Sequence, residues 1–333
     1  MKKRFPEVIL YLVPIPLIFV SILFGPSELL SINELAKLLI SNSKSSGEDF
    51  EVIRDIVLNI RLPRVILAFL IGAALTVSGN SLQALFRNPL VSPDILGLSA
   101  GAAFGAAFSL AYGLLPLQIS AFISGLLAVS LSYLLAVTYR GISTITLILA
   151  GIIVTSFFTA LLTIIQFLTD PFKLQSIVHW TMGNLHTASW SKVSSAVFPI
   201  TLSLIWLMLI RWKLNIVSLG DTETKAVGVN PDRAKLLIII PATLACSSSV
   251  AVAGVVAMVG LVVPHMIRML VGPDNIKVQP MAVVFGGSFL LCVDTISRTL
   301  TEYEIPISIF TILIAAPFFV YLLKKGKIFF RET

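Results

Sequence analysis

The sequence predicts an all-α polytopic membrane protein of about ten transmembrane helices with both termini in the cytoplasm. Three observations carry that prediction. Of 333 residues, 56% are hydrophobic and only 12% charged, about half the ~25% charge usual in soluble domains. Uncharged apolar runs recur along the chain, several long enough to cross a hydrocarbon core of ~30 Å. Basic residues are unevenly shared between the ends of those runs: 16 of the 24 Lys and Arg fall inside and 8 outside, the bias that sets orientation.

The first run, 8–24, follows Lys2, Lys3 and Arg4, which fixes the N-terminus inside. No small-residue cleavage site follows it, so it is expected to remain as a helix. Residues 25–60 form an external excursion too long for a simple turn. Within it Ser31 and Glu34 make a capping-box pattern ahead of Ile32, Leu35, Leu38 and Leu39. Phe50, Ile53, Val57 and Ile60 then lead into Arg61. Both pieces read as short helices lying on the outer surface.

Further spans are expected at 62–86, 95–112, 117–138, 144–168, 193–212, 236–254, 256–271, 279–298 and 306–323. An even count keeps the basic C-terminal residues Lys324, Lys325, Lys327 and Arg331 on the same side as the N-terminal cluster. External residues 169–192 hold Trp180 and Trp190, a pattern for an interfacial helix anchored by indoles. Residues 213–235 form the longest internal loop. There Asp221 or Thr222 can cap a short helix ending at Gly228, and Asn230-Pro231-Asp232 reads as a second helix start. A pair of short helices suits docking of another protein; composition alone equally allows a solvated linker.

A few polar residues stand where they are costly. Arg61 and Arg64 begin an outward-facing helix end, and Arg298 falls at the outer end of the ninth span. At a helix N-terminus the dipole disfavours cations, so three arginines at one face, two of them against local preference, suggest acceptors for carboxylates on an external partner. The alternative is snorkelling to lipid phosphates. Asp294, one turn before Arg298, reads either as an intramembrane functional carboxylate or as the partner of Arg298. His265 is expected as a structural donor near Arg268, and His179 with His186 give only a weak metal signal. Cys246 and Cys292 lie in apolar runs and are read as core residues. Gly97, Gly101 and Gly105, four apart, mark close helix packing, within the chain or between copies of it.

No G-x-x-x-x-G-K-[ST], H-E-x-x-H or G-x-S-x-G pattern occurs, so the parts of a P-loop ATPase, a zinc protease and a serine hydrolase are lacking. No chemistry is expected of the chain itself, and no metal, cofactor or nucleic acid is expected on it.

The chain resembles the FecCD family of permease subunits in binding-protein-dependent ABC importers. The resemblance rests on Arg61-Leu-Pro-Arg64, Gly72-Ala-Ala-Leu75, Gln83, Asn88-Pro-Leu-Val-Ser-Pro93, Leu96-Gly97 and Gly101-Ala102. It continues with Trp180-Thr-Met-Gly183, Trp190, Leu219-Gly220, Ala226, Gly228-Val229, Gly260-Leu-Val-Val-Pro-His265 with Arg268, Glu304-Ile-Pro306 and Ala316-Pro-Phe-Phe319. Val255-Val-Ala-Met258 stands where the family has Pro-Ile-Gly-Phe, and Ala315 where it has glycine; both are apolar exchanges within packed helices.

The resemblance implies a single permease domain over 1–333 in a bacterial or archaeal cytoplasmic membrane. It implies a second copy of the chain, two ATP-binding-cassette subunits that use the ATP, and an external substrate-binding protein. The cargo would be a metal chelate: iron(III)–siderophore first, then haem or cobalamin. It assigns Leu219, Gly220, Asp221, Ala226, Gly228 and Val229 to ATPase coupling. It also assigns Asn88, Leu90, Ser143 and Thr144 to a cytoplasmic gate, and Arg61, Arg64 and Arg298 to binding-protein docking. The competing expectation is a stand-alone secondary transporter driven through Asp294.

Overall fold

In a computed structural model, residues 11–25, 48–138, 141–301 and 303–324 are described. The basic N-terminal cluster, the Ser31/Glu34 pattern and Lys325, Lys327 and Arg331 lie outside them.

The molecule is built around α3, Leu62–Phe86, where 21 of 25 residues are buried. Small residues let its neighbours approach to backbone contact. A Cβ on Gly72 would stand 2.1 Å from the Gly286 carbonyl oxygen, and one on Gly79 would stand 1.9 Å from that of Gly260. The helices packed most extensively on α3 are α8 (Trp190–Leu209), α11 (Pro231–Ala253), α12 (Val259–Val271) and α13 (Asn275–Thr299). The remaining apolar helices are α1 (Pro14–Leu23), α4 (Leu98–Tyr112), α5 (Leu117–Ala136), α6 (Thr144–Leu168) and α14 (Ile307–Lys324). Among the described residues, seven helical stretches are long and apolar enough to cross a membrane, and three shorter apolar ones, α1, α4 and α12, stand where the other spans are expected.

Several boundaries differ from expectation for physical reasons. Helix α2, Glu48–Asp55, continues through a π-turn at Ile56–Arg61 directly into α3. Arg61 therefore lies inside a continuous helix and not at an N-terminus, and the dipole argument for it falls. The third expected span, 95–112, splits: Pro93–Leu96 forms a 3-10 turn and Gly97 adopts φ +82° before α4 begins. Gly97 is thus a junction required by backbone conformation. Gly101 and Gly105 face α5 of the same chain, with hypothetical Cβ atoms 2.6 Å from Ser124 O and 2.3 Å from Ser120 O.

Helix α5 ends in a two-residue hairpin, Val137–Thr138 against Gly141–Ile142, which leads into α6. Pro171–Thr181 forms α7, capped by Asp170, whose Oδ1 accepts from the Phe172 and Lys173 amides at 3.1 Å. Trp180 is buried rather than interfacial, while Trp190 Nε1 donates to Leu58 O at 3.0 Å. The internal loop holds α9 (Arg211–Val217) and α10 (Asp221–Ala226). Asn230 does start a helix, its Oδ1 accepting from Asp232 and Arg233 amides, but that helix is the span α11 itself. The expected second short helix is absent because nothing breaks the chain between the cap and the apolar run.

Between α11 and α12, residues 254–258 are not helical, so Val255–Met258, expected within a packed helix, lie in a break and the span expected from 256 begins at Val259. Apolar surroundings demand partners for such backbone. Ser308 supplies two: its Oγ donates to Val255 O at 2.7 Å and accepts from Ala257 N at 3.2 Å.

Candidate functional site

The residues singled out by the sequence collect on two opposite faces. On the outer face, Arg64 is 6% exposed and turns its whole fork inward. Nε and Nη2 donate to Asp294 Oδ1 at 3.0 and 2.9 Å, and Nη1 donates to Glu304 Oε1 at 2.7 Å. Asp294 is fully buried. Its nearest cation is Arg64, 230 residues away; the expected Arg298 stands second, at 3.7 Å.

Arg61 and Arg298, 2% and 1% exposed, both serve the last turn of α1. Arg61 Nη1 donates to Ile22 O at 2.7 Å and Leu23 O at 2.8 Å. Arg298 Nη2 donates to the Ser21 carbonyl and, at 2.6 Å, to Ser21 Oγ. Terminal carbonyls lack intrahelical donors and carry the negative end of the dipole, so a guanidinium is their natural complement. The three arginines expected to meet an external protein's carboxylates thus all bond within the chain, to α1, Asp294 and Glu304.

Arg64 and Glu304 also line a cavity of about 350 Å³, shared with His179, Asn184, His186 and Tyr303. The two imidazoles stand edge to face with centroids 5.2 Å apart. Burial, with the neighbouring His179 and Lys192, holds the His186 imidazole below its ordinary value, against an opposing pull from Glu304. Among the described residues no group of three or more His, Cys, Asp or Glu stands together to hold a metal ion.

On the inner face, α3 ends where Arg87 takes φ +53° and Asn88 Oδ1 accepts from Leu90 N at 2.9 Å. This turns the chain back and leaves Leu90 46% exposed. Ser143 and Thr144 open α6 immediately after the hairpin. Both turns meet the internal loop. A Cβ on Gly220 would stand 3.2 Å from Arg87 Nη1, and Lys235 Nζ bridges Asp221 Oδ2 and Ile142 O, each at 2.6 Å. Leu219 and Val227 are 64% and 60% exposed, and Ala226 and Gly228 are exposed beside them. The loop therefore presents an apolar edge to the outside while its polar side holds the two inner turns.

Sequence reasoning missed Glu304 as a partner, Lys235 altogether, and a buried polar chain under the inner face. In that chain Arg268 donates to Asn80 Oδ1 at 3.0 Å and to Gln83 Oε1 at 2.5 Å. Asn80 Nδ2 donates to Asn275 Oδ1 at 2.8 Å, and Asn275 Nδ2 to Asn215 Oδ1 at 2.8 Å. Gln83 Nε2 reaches Val91 O at 3.0 Å. Asn215 Nδ2 donates to Asp274 Oδ1, and that bond with the Ile276 amide holds the Asp274 carboxyl below its usual range. His265, expected as a donor, instead packs edge-on against Phe318 and Phe319, and its Nδ1 has no hydrogen-bond partner among the described residues. The spacing of Asp232 and Lys235, one turn apart, was the one available signal for the bridge.

A bundle of apolar helices with an ion-paired outer face, and an inner face where two turns meet an exposed loop, defines a multi-pass membrane permease. The FecCD transport family matches residues 11–325, and the chain belongs to that family. A probable iron chelatin transport permease of Helicobacter pylori is 37% identical over 92% of this chain and 94% of its own. The molybdate import permease MolB of Haemophilus influenzae is 36% identical over 89% and 90%. The hemin transport permease HmuU of Yersinia pestis is 38% identical over 81% and 83%. Among solved structures, an ABC transporter assigned to the metal-chelate type, in an inward-facing conformation, superposes with a TM-score of 0.86. It is 34% identical and covers 96% of this chain and 98% of that one. Permease subunits of this family are transmembrane components without ATPase activity.

Proposed function

We propose that the chain is the permease subunit of a binding-protein-dependent ABC importer carrying an iron(III)–siderophore chelate, with haem and cobalamin as the next candidates. It works as a homodimer, with two ATP-binding-cassette subunits beneath residues 219–229 and a substrate-binding protein on the outer face. ATP is bound and hydrolysed by the cassette subunits. The observation that carries this reading is the meeting of both inner turns, 87–90 and 141–144, with one exposed loop. A contact that differs between nucleotide states can bias the inner turns only if it reaches them, and here it does. The iron chelatin relative supports the choice of cargo. Asp294, fully buried and held by Arg64, fits a structural carboxylate better than one that cycles protons, which disfavours the ion-coupled alternative.

The outer arginines support the partner indirectly, by fixing the shape of the face on which a binding protein would rest. The test is reconstitution of the complex purified from native membranes, followed by ATP-dependent uptake of a ferric hydroxamate, haem, cobalamin and molybdate in parallel. Uptake of the ferric chelate above the other three supports the reading. A chain that purifies without a P-loop subunit and transports on an ion gradient alone would sink it.

A further inference from the structure

Lys235 is the fifth residue of α11 and is 2% exposed. A buried ammonium must spend its donors on acceptors. Its Nζ donates to Ile142 O and to Asp221 Oδ2, both at 2.6 Å, and stands 3.8 Å from Asp232 Oδ1. Asp232 closes the arrangement from the other side, its Oδ1 accepting from the Ile142 amide at 3.3 Å. Gly141 keeps the approach open, since a Cβ there would stand 2.9 Å from Asp232 Oδ2.

One cation therefore joins three separate pieces of chain. These are the first residue of α10, the hairpin just before Ser143 and Thr144, and the base of α11. The two carboxylates lie at the rim, their side chains 44% and 48% exposed, with the ammonium beneath them. Helix α10 has six residues, too few to hold its own position in water. What ties it to the hairpin is this ammonium.

We propose that Lys235 is a positioning residue that transmits movement of the coupling loop to the inner turn opening α6. The inference rests on the reading that residues 219–229 carry the ATPase. A cassette subunit that shifts α10 shifts Asp221, and the shared ammonium carries the Ile142 carbonyl with it. Without the ammonium, α10 moves and the hairpin stays.

The test uses the whole complex in proteoliposomes, with Cys246→Ala, Cys292→Ser and Ser143→Cys in the permease and a fluorescent maleimide as probe. Labelling rates are compared without nucleotide and with ATP plus vanadate. A separate Ala226→Cys chain reports docking by cross-linking to the cassette subunit. With Lys235 present, nucleotide is expected to change the labelling rate about tenfold, as a shift between two populations would. Lys235→Met is expected to keep the Ala226→Cys cross-link yet reduce that response to less than about twofold, and Lys235→Arg to restore most of it. A full response in Lys235→Met overturns the proposal. Should Lys235→Met not fold, Asp221→Ala, which removes the acceptor on α10 and leaves the lysine on Ile142 O, must lose the response instead; a normal response there overturns it equally. Absence of the cross-link with Lys235 in place would remove the docking reading and this inference together.

Discussion

Arg64 shows most sharply how a single side chain organises the outer face. It bridges α3 to Asp294 of α13 and to Glu304 in the following turn, so its removal takes every short bond from a fully buried carboxylate and leaves it only Arg298, 3.7 Å away. Breaking one side of a buried pair costs about 3–5 kcal/mol. Arg64→Met is therefore expected to lower the thermal midpoint of the detergent-purified chain sharply. Arg64→Met with Asp294→Asn is expected to recover a large part of the loss, because the stranded charge is gone. Equal midpoints for the single and double variants would contradict that account. The sequence exposed Asp294 and its near neighbour Arg298, since a carboxylate in an apolar run is visible in one dimension. It could not expose the bond to Arg64, because the chain separation of 230 residues carries no local signal.

The helices themselves were legible wherever a run was long, apolar and bounded by turn formers. The edges of 62–86 and 144–168 coincide with α3 and α6. Boundaries slipped where a cap lay upstream of the apolar run, as at Asn230, or where a π-turn let a helix pass through a polar stretch, as at Ile56–Arg61. The candidate site was legible to the same degree. Leu219, Asp221 and Ser143 could be chosen by resemblance, whereas the buried lysine joining them could not. Packing inside the bundle was legible for Gly101 and Gly105 but not for the glycines of α3, which follow no four-residue spacing. Gly79→Ala brings a Cβ to 1.9 Å from the Gly260 carbonyl, against backbone that has nowhere to go. It should cost about 1–3 kcal/mol or more by overpacking, read as a drop in thermal midpoint. Gly125→Ala in α5, whose nearest neighbour is the Ser247 hydroxyl at 3.2 Å, serves as the mild control. Comparable losses at both positions would argue against backbone contact as the cause.

At the scale of the molecule, the two faces carry different kinds of chemistry. The outer face spends its charges internally, while the inner loop leaves Leu219 and Val227 uncovered. Exposed apolar side chains beside a polar bridge are what a docking protein would cover. Leu219→Asp with Val227→Asp is expected to abolish co-purification of the cassette subunit at an unchanged thermal midpoint of the permease alone. Retention of the cassette subunit by that variant would move the docking surface elsewhere.

The meeting of α1 with Arg61 and Arg298 has a meaning in time as well as in space. The carbonyls of Ile22 and Leu23 and the hydroxyl of Ser21 leave the ribosome before Arg298, which follows Ser21 by 277 residues. A cation carried on α13 therefore reaches acceptors on α1 that were made well before it. Helix α1 thus holds its uncharged acceptors in waiting for a helix made much later. A version of the protein lacking α1 would bring two buried guanidiniums together without these acceptors to receive them.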